Sequence, residues 1–144
     1  MDPIVISNGC KVYRKSKHSI DEVLSLVPEW DGIVKERRIV FDGDELYIDS
    51  LRYFTFKKDN CTCVHCGMKG VFFAKEKHLN DKRYHLNLYG IDENGNEVLM
   101  TKDHRYPKAK GGSNDISNLD TMCAPCNHAK GNTLPSIDTT ETES

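Results

Sequence analysis

Three observations in the sequence predict an α+β fold stapled by a metal. Two C-x2-C pairs, Cys63-Val64-His65-Cys66 and Cys123-Ala124-Pro125-Cys126, stand about sixty residues apart. Two β-prone runs meet at Asp42-Gly43, and two more meet around Asn94-Gly95, dipeptides that favour hairpin turns. Helix signals lie on either side of these runs, at Ser19 and after Cys123.

In chain order, the first helix is announced by H-S-I-D-E-V-L-S-L-V. Ser19 and Glu22 have capping-box spacing, Ile20, Val23, Leu24 and Val27 share a face, and Pro28 stops the pattern. The run from Arg37 to Asp49 then gives a hairpin. Together these make an N-terminal extension over residues 1–50, with packing or partner selection as its expected role. A second hairpin, Tyr84 to Met100, delivers the chain to Asp103-His104. A polar loop (Lys110 to Ser117), a short apolar run (Asn118 to Cys123) and a helix follow, the helix with Pro125 in its first turn and Gly131 as its stop. The order strand, loop, strand, helix ends a domain assigned to residues 51–134. Residues 135–144 form an acidic polar tail with the composition of a disordered segment. Tyr84, His85 and Tyr89 read as packing residues, and His78 as a surface residue.

The net charge of −2 hides a gradient. Residues 1–50 carry seven Lys/Arg against ten Asp/Glu, residues 51–134 thirteen against nine, and residues 135–144 none against three. The positive excess thus coincides with the cysteines and with T-K-D-H-R-Y-P-K-A-K-G-G, which suits an anionic partner there. No secretory signal or membrane-length apolar run is present, so a soluble cytoplasmic protein is expected.

Without a secretory signal, two C-x2-C pairs favour tetrahedral zinc over disulfides: each pair offers two thiolates to one ion. Cys63, Cys66, Cys123 and Cys126 are the ligand set, and four thiolates leave no open position, so the role is structural. Cys61 could compete as a ligand, although its spacing to Cys66 suits a knuckle less well. His65 and His128 could each replace a thiolate. Cys10 reads as a buried small hydrophobe.

The stretch D-H-R-Y-P-K-A-K-G-G-S-N-D-I-S-N-L-D-T-M-C-A-P-C-N-H-A-K-G-N resembles the core of the HNH endonucleases, in their zinc-knuckle subgroup. The resemblance runs from about Asp59 to Asn132 and leaves residues 1–50 unaccounted for. It implies a ββα-metal core in which His104 is the general base and Asp103 with Asn127 holds one divalent ion. Asn118 would hold the loop and orient the His104 imidazole. Asn127 stands where other members have histidine, the HNN form, and its amide oxygen favours hard ions such as magnesium or manganese. Small stand-alone members of this kind resemble those of bacteriophages.

The chemistry is coherent in its own terms. Phosphodiester hydrolysis needs an activated nucleophile and compensation of the charge growing on oxygen. Imidazole titrates near neutrality, and a carboxylate with an amide oxygen makes a sparse, oxygen-only coordination set. Asp103 and His104 are adjacent, so on a regular strand they would point apart; the chain has to turn there, and Pro107 allows it. Arg105, Lys108, Lys110 and Lys130 are expected to meet the backbone phosphates of duplex DNA. A symmetric double-strand cut would need two sites, so a homodimer is compatible with this reading. The competing expectations are a zinc-dependent nucleic-acid-binding module without catalysis, and a protein that binds a partner through its N-terminal extension.

Overall fold

The computed structural model describes residues 3–35, 37–107 and 111–130. The fold is mixed α+β and mostly sheet. Its elements are β1 (Ile4–Ser7), β2 (Cys10–His18), α1 (Ile20–Leu24), β3 (Arg38–Phe41), β4 (Asp44–Tyr47), α2 (Leu51–Lys58), β5 (Gly70–His78), β6 (His85–Ile91), β7 (Glu97–His104), β8 (Leu119–Cys123) and α3 (Ala124–Lys130), with a 3-10 turn, Ile116–Asn118, before β8.

Six strands form one sheet in the order β1-β2-β5-β6-β7-β8, antiparallel throughout, and β3-β4 is a separate hairpin. The strands expected to carry the site therefore lie at one end of a sheet whose other end is built from the first eighteen residues. The division at residue 50 does not coincide with a break in packing, because β2 pairs with β5 from Val12 to His18.

Local chemistry accounts for the elements that the sequence foreshadows. Ser19 caps α1, its hydroxyl accepting from the Glu22 N–H, although the helix is a turn shorter than the apolar pattern suggests. The β3-β4 turn puts Asp42 at φ 51° and Gly43 at φ 87°, the left-handed pair of a two-residue hairpin. The β6-β7 turn is longer: only Gly95 has positive φ, and the Asp92 carboxylate accepts from the N–H groups of Asn94 and Asn96.

The core lies between the sheet, α1, α2 and the β3-β4 hairpin, and includes Val23, Leu46, Phe56, Phe73, Leu86, Leu88 and Met100. α2 supplies four consecutive buried residues, Tyr53 to Phe56. Its C-terminal end is tied to β8, where the Thr121 N–H donates to Asp59 at 2.7 Å and the Thr121 hydroxyl donates to the Thr55 carbonyl at 3.2 Å. Lys75, fully buried on β5, donates to the carbonyls of Phe41 and Asp42 at 2.8 Å each and pairs with Asp44, which locks the hairpin to the sheet. Tyr89 is buried and packs on Phe72, as expected, whereas His78 is exposed. Cys10 is a correction: it begins β2 after a tight turn and is exposed rather than buried. No helix among the described residues is long and apolar enough to cross a membrane. The acidic tail at 135–144 and Gly131 lie outside the described residues.

Candidate functional site

The four cysteines of the two pairs come together, every sulfur within 4.8 Å of the others. A tetrahedral ion with metal–sulfur bonds of about 2.3 Å requires sulfur–sulfur edges of roughly 3.8 Å. Cys66 and Cys123 are 3.7 Å apart, which matches one such edge, and the remaining sulfurs lie within 4.8 Å of one another. The backbone builds the site: the Cys63 N–H bonds to the Met68 carbonyl, the Gly67 N–H returns to Cys63, and the Val64 N–H crosses to Thr121 on β8. Gly67 makes this knuckle possible by taking φ 81°.

The sulfurs' electrostatics favour a cation at their centre. Burial pushes the thiols of Cys123 and Cys126 up from their ordinary value, and the other sulfurs add to this at Cys126. Burial acts on Cys63 in the same direction, but N–H groups of Cys66, Cys123 and His65 outweigh it and bring that thiol down to about 7. Four sulfurs packed this closely repel one another as thiolates, and a divalent cation at the centre reverses the sign of that cost. The cluster could therefore hold a metal ion such as zinc. His65 lies outside the four-sulfur group, its Nδ1 3.3 Å from Cys126 Sγ. Cys61 is outside the set, buried in the core with its thiol pushed up to about 12.

β7, β8 and α3 follow one another and pack together. The register sets Asp103 opposite Asp120 and His104 opposite Leu119. Thr101 and Asp103, two residues apart on β7, both reach α3. The Asn127 Nδ2 donates to Thr101 Oγ1 at 2.8 Å, and Lys130 Nζ donates to Asp103 Oδ2 at 2.5 Å. Asn127 and Lys130 are three apart on α3 and so share a face. Strand and helix are thus laid side by side, with Asp103 and Asn127 on the facing surfaces.

The orientation of the Asn127 amide follows from its partner. The Thr101 hydroxyl gives its one proton to the Met122 carbonyl at 2.7 Å, so its oxygen can only accept from Asn127. Asn127 must therefore offer its NH2 to Thr101, which leaves the amide oxygen available as a ligand. Lys130 also donates to the His104 carbonyl at 2.6 Å. Its ammonium is engaged within the site, at a carboxylate where positive charge is favoured.

β7 ends at His104, where the strand must be left for the histidine to serve the same site. The His104 Nε2 lies 2.8 Å from the side-chain oxygen of Asn114. In this orientation the amide oxygen accepts, so in the neutral imidazole the proton sits on Nε2 and Nδ1 keeps its lone pair. Asn114 was not singled out in the sequence; it sits in the loop G-G-S-N-D, where an asparagine reads as ordinary turn chemistry.

Asn118 binds the loop rather than the imidazole. Tyr106 N–H donates to its Oδ1 at 2.8 Å, its Nδ2 donates to the carbonyls of Tyr106 at 3.2 Å and Ser113 at 2.8 Å, and its own carbonyl accepts from the Arg105 N–H at 2.7 Å. The paired glycines serve the same loop. Gly111 takes φ 92°, and a Cβ on Gly112 would fall 1.8 Å from the Tyr106 carbonyl oxygen. Arg105 forks onto Asp120 at 2.9 and 3.2 Å while its side chain stays 55% exposed. Lys108 and Lys110 lie outside the described residues.

Residues 92–138 match the family model described as HNH endonuclease, a span that takes in Asp103, His104, Asn118, Asn127 and the second cysteine pair and leaves out the first. No curated protein and no solved structure matches the chain.

Proposed function

We propose that this chain, whose residues 92–138 match the HNH endonuclease family model, is a divalent-metal-dependent endonuclease that hydrolyses DNA phosphodiester bonds. The observation that carries the reading is the strand–helix pairing that puts Asp103 and Asn127 on facing surfaces, beside a histidine whose Nδ1 is left free by Asn114. The core β7-β8-α3 is read as the ββα-metal unit of the family.

In this reading His104 accepts a proton at Nδ1 from the water that attacks phosphorus. Asn114 keeps the imidazole in the required tautomer and direction. Asn118 acts one step further out, holding Tyr106 and Ser113 so that Asn114 stays in reach of His104. Asp103 and Asn127 would hold magnesium or manganese, an all-oxygen donor set suited to such ions. When bound, that ion supplies compensation for the charge that develops on the phosphate oxygens. Lys130 keeps the Asp103 carboxylate against α3. Cys63, Cys66, Cys123 and Cys126 would hold a structural zinc that ties the site's second strand and helix to the chain before β5.

Arg105, with its side chain 55% exposed, is the described residue of the loop proposed to meet phosphate of duplex DNA, and Lys108 and Lys110, outside the described residues, are proposed for the same role from the sequence. Purified protein incubated with supercoiled plasmid should nick or linearise it with magnesium or manganese and not without a divalent ion. DNA retention without cutting under every divalent ion would make the chain a binding module instead.

A further inference from the structure

A cavity of about 330 Å³ opens between the chain that follows α1, the last turn of α2 and the loop that carries Asn114 and Asn118. Trp30 and Phe54 line it, their ring centroids 4.9 Å apart and inclined at 59°, and Ile116 faces it from the loop. Lys57 and Lys58 line it too. The volume is ample for one planar base and far too small for a duplex. Aromatic rings beside lysines are what a protein uses to hold an unpaired nucleotide: the ring stacks on the base, and the cation meets the phosphate.

Lys57 keeps a carboxylate partner that a phosphate can displace. Lys57 Nζ donates to the Val27 carbonyl at 2.8 Å and pairs with Glu29, whose side chain is 93% exposed. Lys58 pairs with Asp59 at 2.7 Å and reaches Asp120 only at 4.0 Å. The Lys57–Glu29 pair is exposed and holds its members weakly, whereas the carboxylates that meet Lys58 are only 12% and 9% exposed. The position is equally telling. Ile116 is two residues from Asn114, which holds His104, and two from Asn118, so about 7 Å of chain at most separates the cavity from either.

We propose that this cavity takes an unstacked nucleobase of the strand being cut, stacked against Trp30 with its phosphate facing Lys57 and Lys58. The proposal rests on the reading of the His104 site as a nuclease. It explains what the segment before β3 contributes to that site. It also gives the enzyme a preference for strands whose bases leave the stack readily: single strands, mismatches and flexible pyrimidine–purine steps.

The chain has a single tryptophan, so its fluorescence reports on this cavity alone. The full-length protein is titrated without divalent ions with a single-stranded DNA oligonucleotide and with an abasic oligonucleotide of equal length and charge, binding being followed separately by anisotropy. The base-bearing strand should quench Trp30 strongly, and the abasic strand should bind with little quenching. In magnesium, Trp30→Ala should slow cleavage roughly tenfold, and Trp30→Phe, which keeps a ring against Phe54 and guards against a simple folding defect, should recover most of the rate. Equal quenching by both strands, or none, in a protein that cuts DNA overturns the cavity's role and leaves the nuclease reading standing. Failure to bind or cut any nucleic acid overturns both.

Discussion

Asn118 and Tyr106 are joined by a reciprocal pair of hydrogen bonds, Tyr106 N–H to Asn118 Oδ1 at 2.8 Å and Asn118 Nδ2 back to the Tyr106 carbonyl at 3.2 Å. The pairing closes the loop that leaves His104 before it can return to β8. In the proposed site Asn118 would act as a positioning residue: it meets the loop backbone, and the same loop carries Asn114, which meets the imidazole.

Asn118→Ala should therefore lower turnover while leaving the fold intact. It removes three side-chain bonds from a partly exposed loop, a stability cost of about 1–3 kcal/mol. Cleavage should fall by one to two orders of magnitude. Comparing cleavage rate with thermal midpoint checks this. A loss of activity that merely follows unfolding would make Asn118 a structural residue.

The cysteine cluster predicts about one zinc per chain and a fold that depends on it. Structural zinc contributes on the order of 10 kcal/mol, and the sulfurs that would share it come from both sides of β5, β6 and β7. Cys63→Ser or Cys123→Ser should abolish zinc binding and cooperative unfolding alike. Cys61→Ser, outside the set, should keep its zinc and lose stability through the core. Metal analysis of the folded protein gives the direct check, and a folded chain free of metal would exclude the assignment.

Lys130 and Asp103, each 17% exposed, make a pair whose loss should depend on the ion present. Lys130→Met leaves the carboxylate without its cation and should cost about 1–3 kcal/mol in buffer free of magnesium. Added magnesium should return part of that loss if Asp103 is a ligand, because the ion then stabilises the folded state by mass action. Unfolding midpoints of both proteins, with and without magnesium, measure it. A loss that magnesium leaves unchanged would separate Asp103 from metal binding.

Acid should loosen the β3-β4 hairpin first. Hydrogen bonds from Lys15 and Lys75 hold the Asp44 carboxyl below its ordinary value of 3.8, and a bond from the Ser16 hydroxyl does the same for Asp42. A depressed carboxylate contributes stability above its unfolded value and loses it as pH falls through its folded one, so the loss should begin below about pH 5 and grow as pH falls. Asp44→Asn should be less stable than the wild type at pH 7 and show a flatter decline at acid pH. Urea midpoints between pH 7 and pH 3 follow the effect, and parallel curves for the two proteins would contradict it.

The parts of the structure legible in the sequence are those where one local rule suffices. Ser19, Asp42-Gly43 and the two C-x2-C pairs each announce their element through capping, turn chemistry or ligand spacing. β5 was hidden because its buried run, Phe73 to Glu76, includes Lys75 and Glu76. Those two charges find partners from distant elements, Asp44 on β4 and Arg14 on β2. No alternating apolar pattern survives where charges are buried in pairs. α2 is hidden for a related reason: Tyr53, Phe54, Thr55 and Phe56 are all buried, so the helix carries no apolar stripe of helical period. Within the proposed site, Asp103, His104, Asn118 and Asn127 are candidates from the sequence, but the partners they meet could not be named from it. Asn114, Thr101 and Lys130 acquire their roles only once the loop closes and α3 lies along β7.

The central claim is that His104 is the base of a phosphodiester hydrolase. It is tested most directly by incubating wild type and His104→Ala with supercoiled plasmid in magnesium and in manganese, with zinc content, thermal midpoint and DNA affinity measured on the same samples. The account predicts that the variant keeps its zinc, fold and DNA binding and that its cleavage rate falls by at least a hundredfold, on the order expected for loss of a general base. Equal cleavage by the two proteins would contradict it.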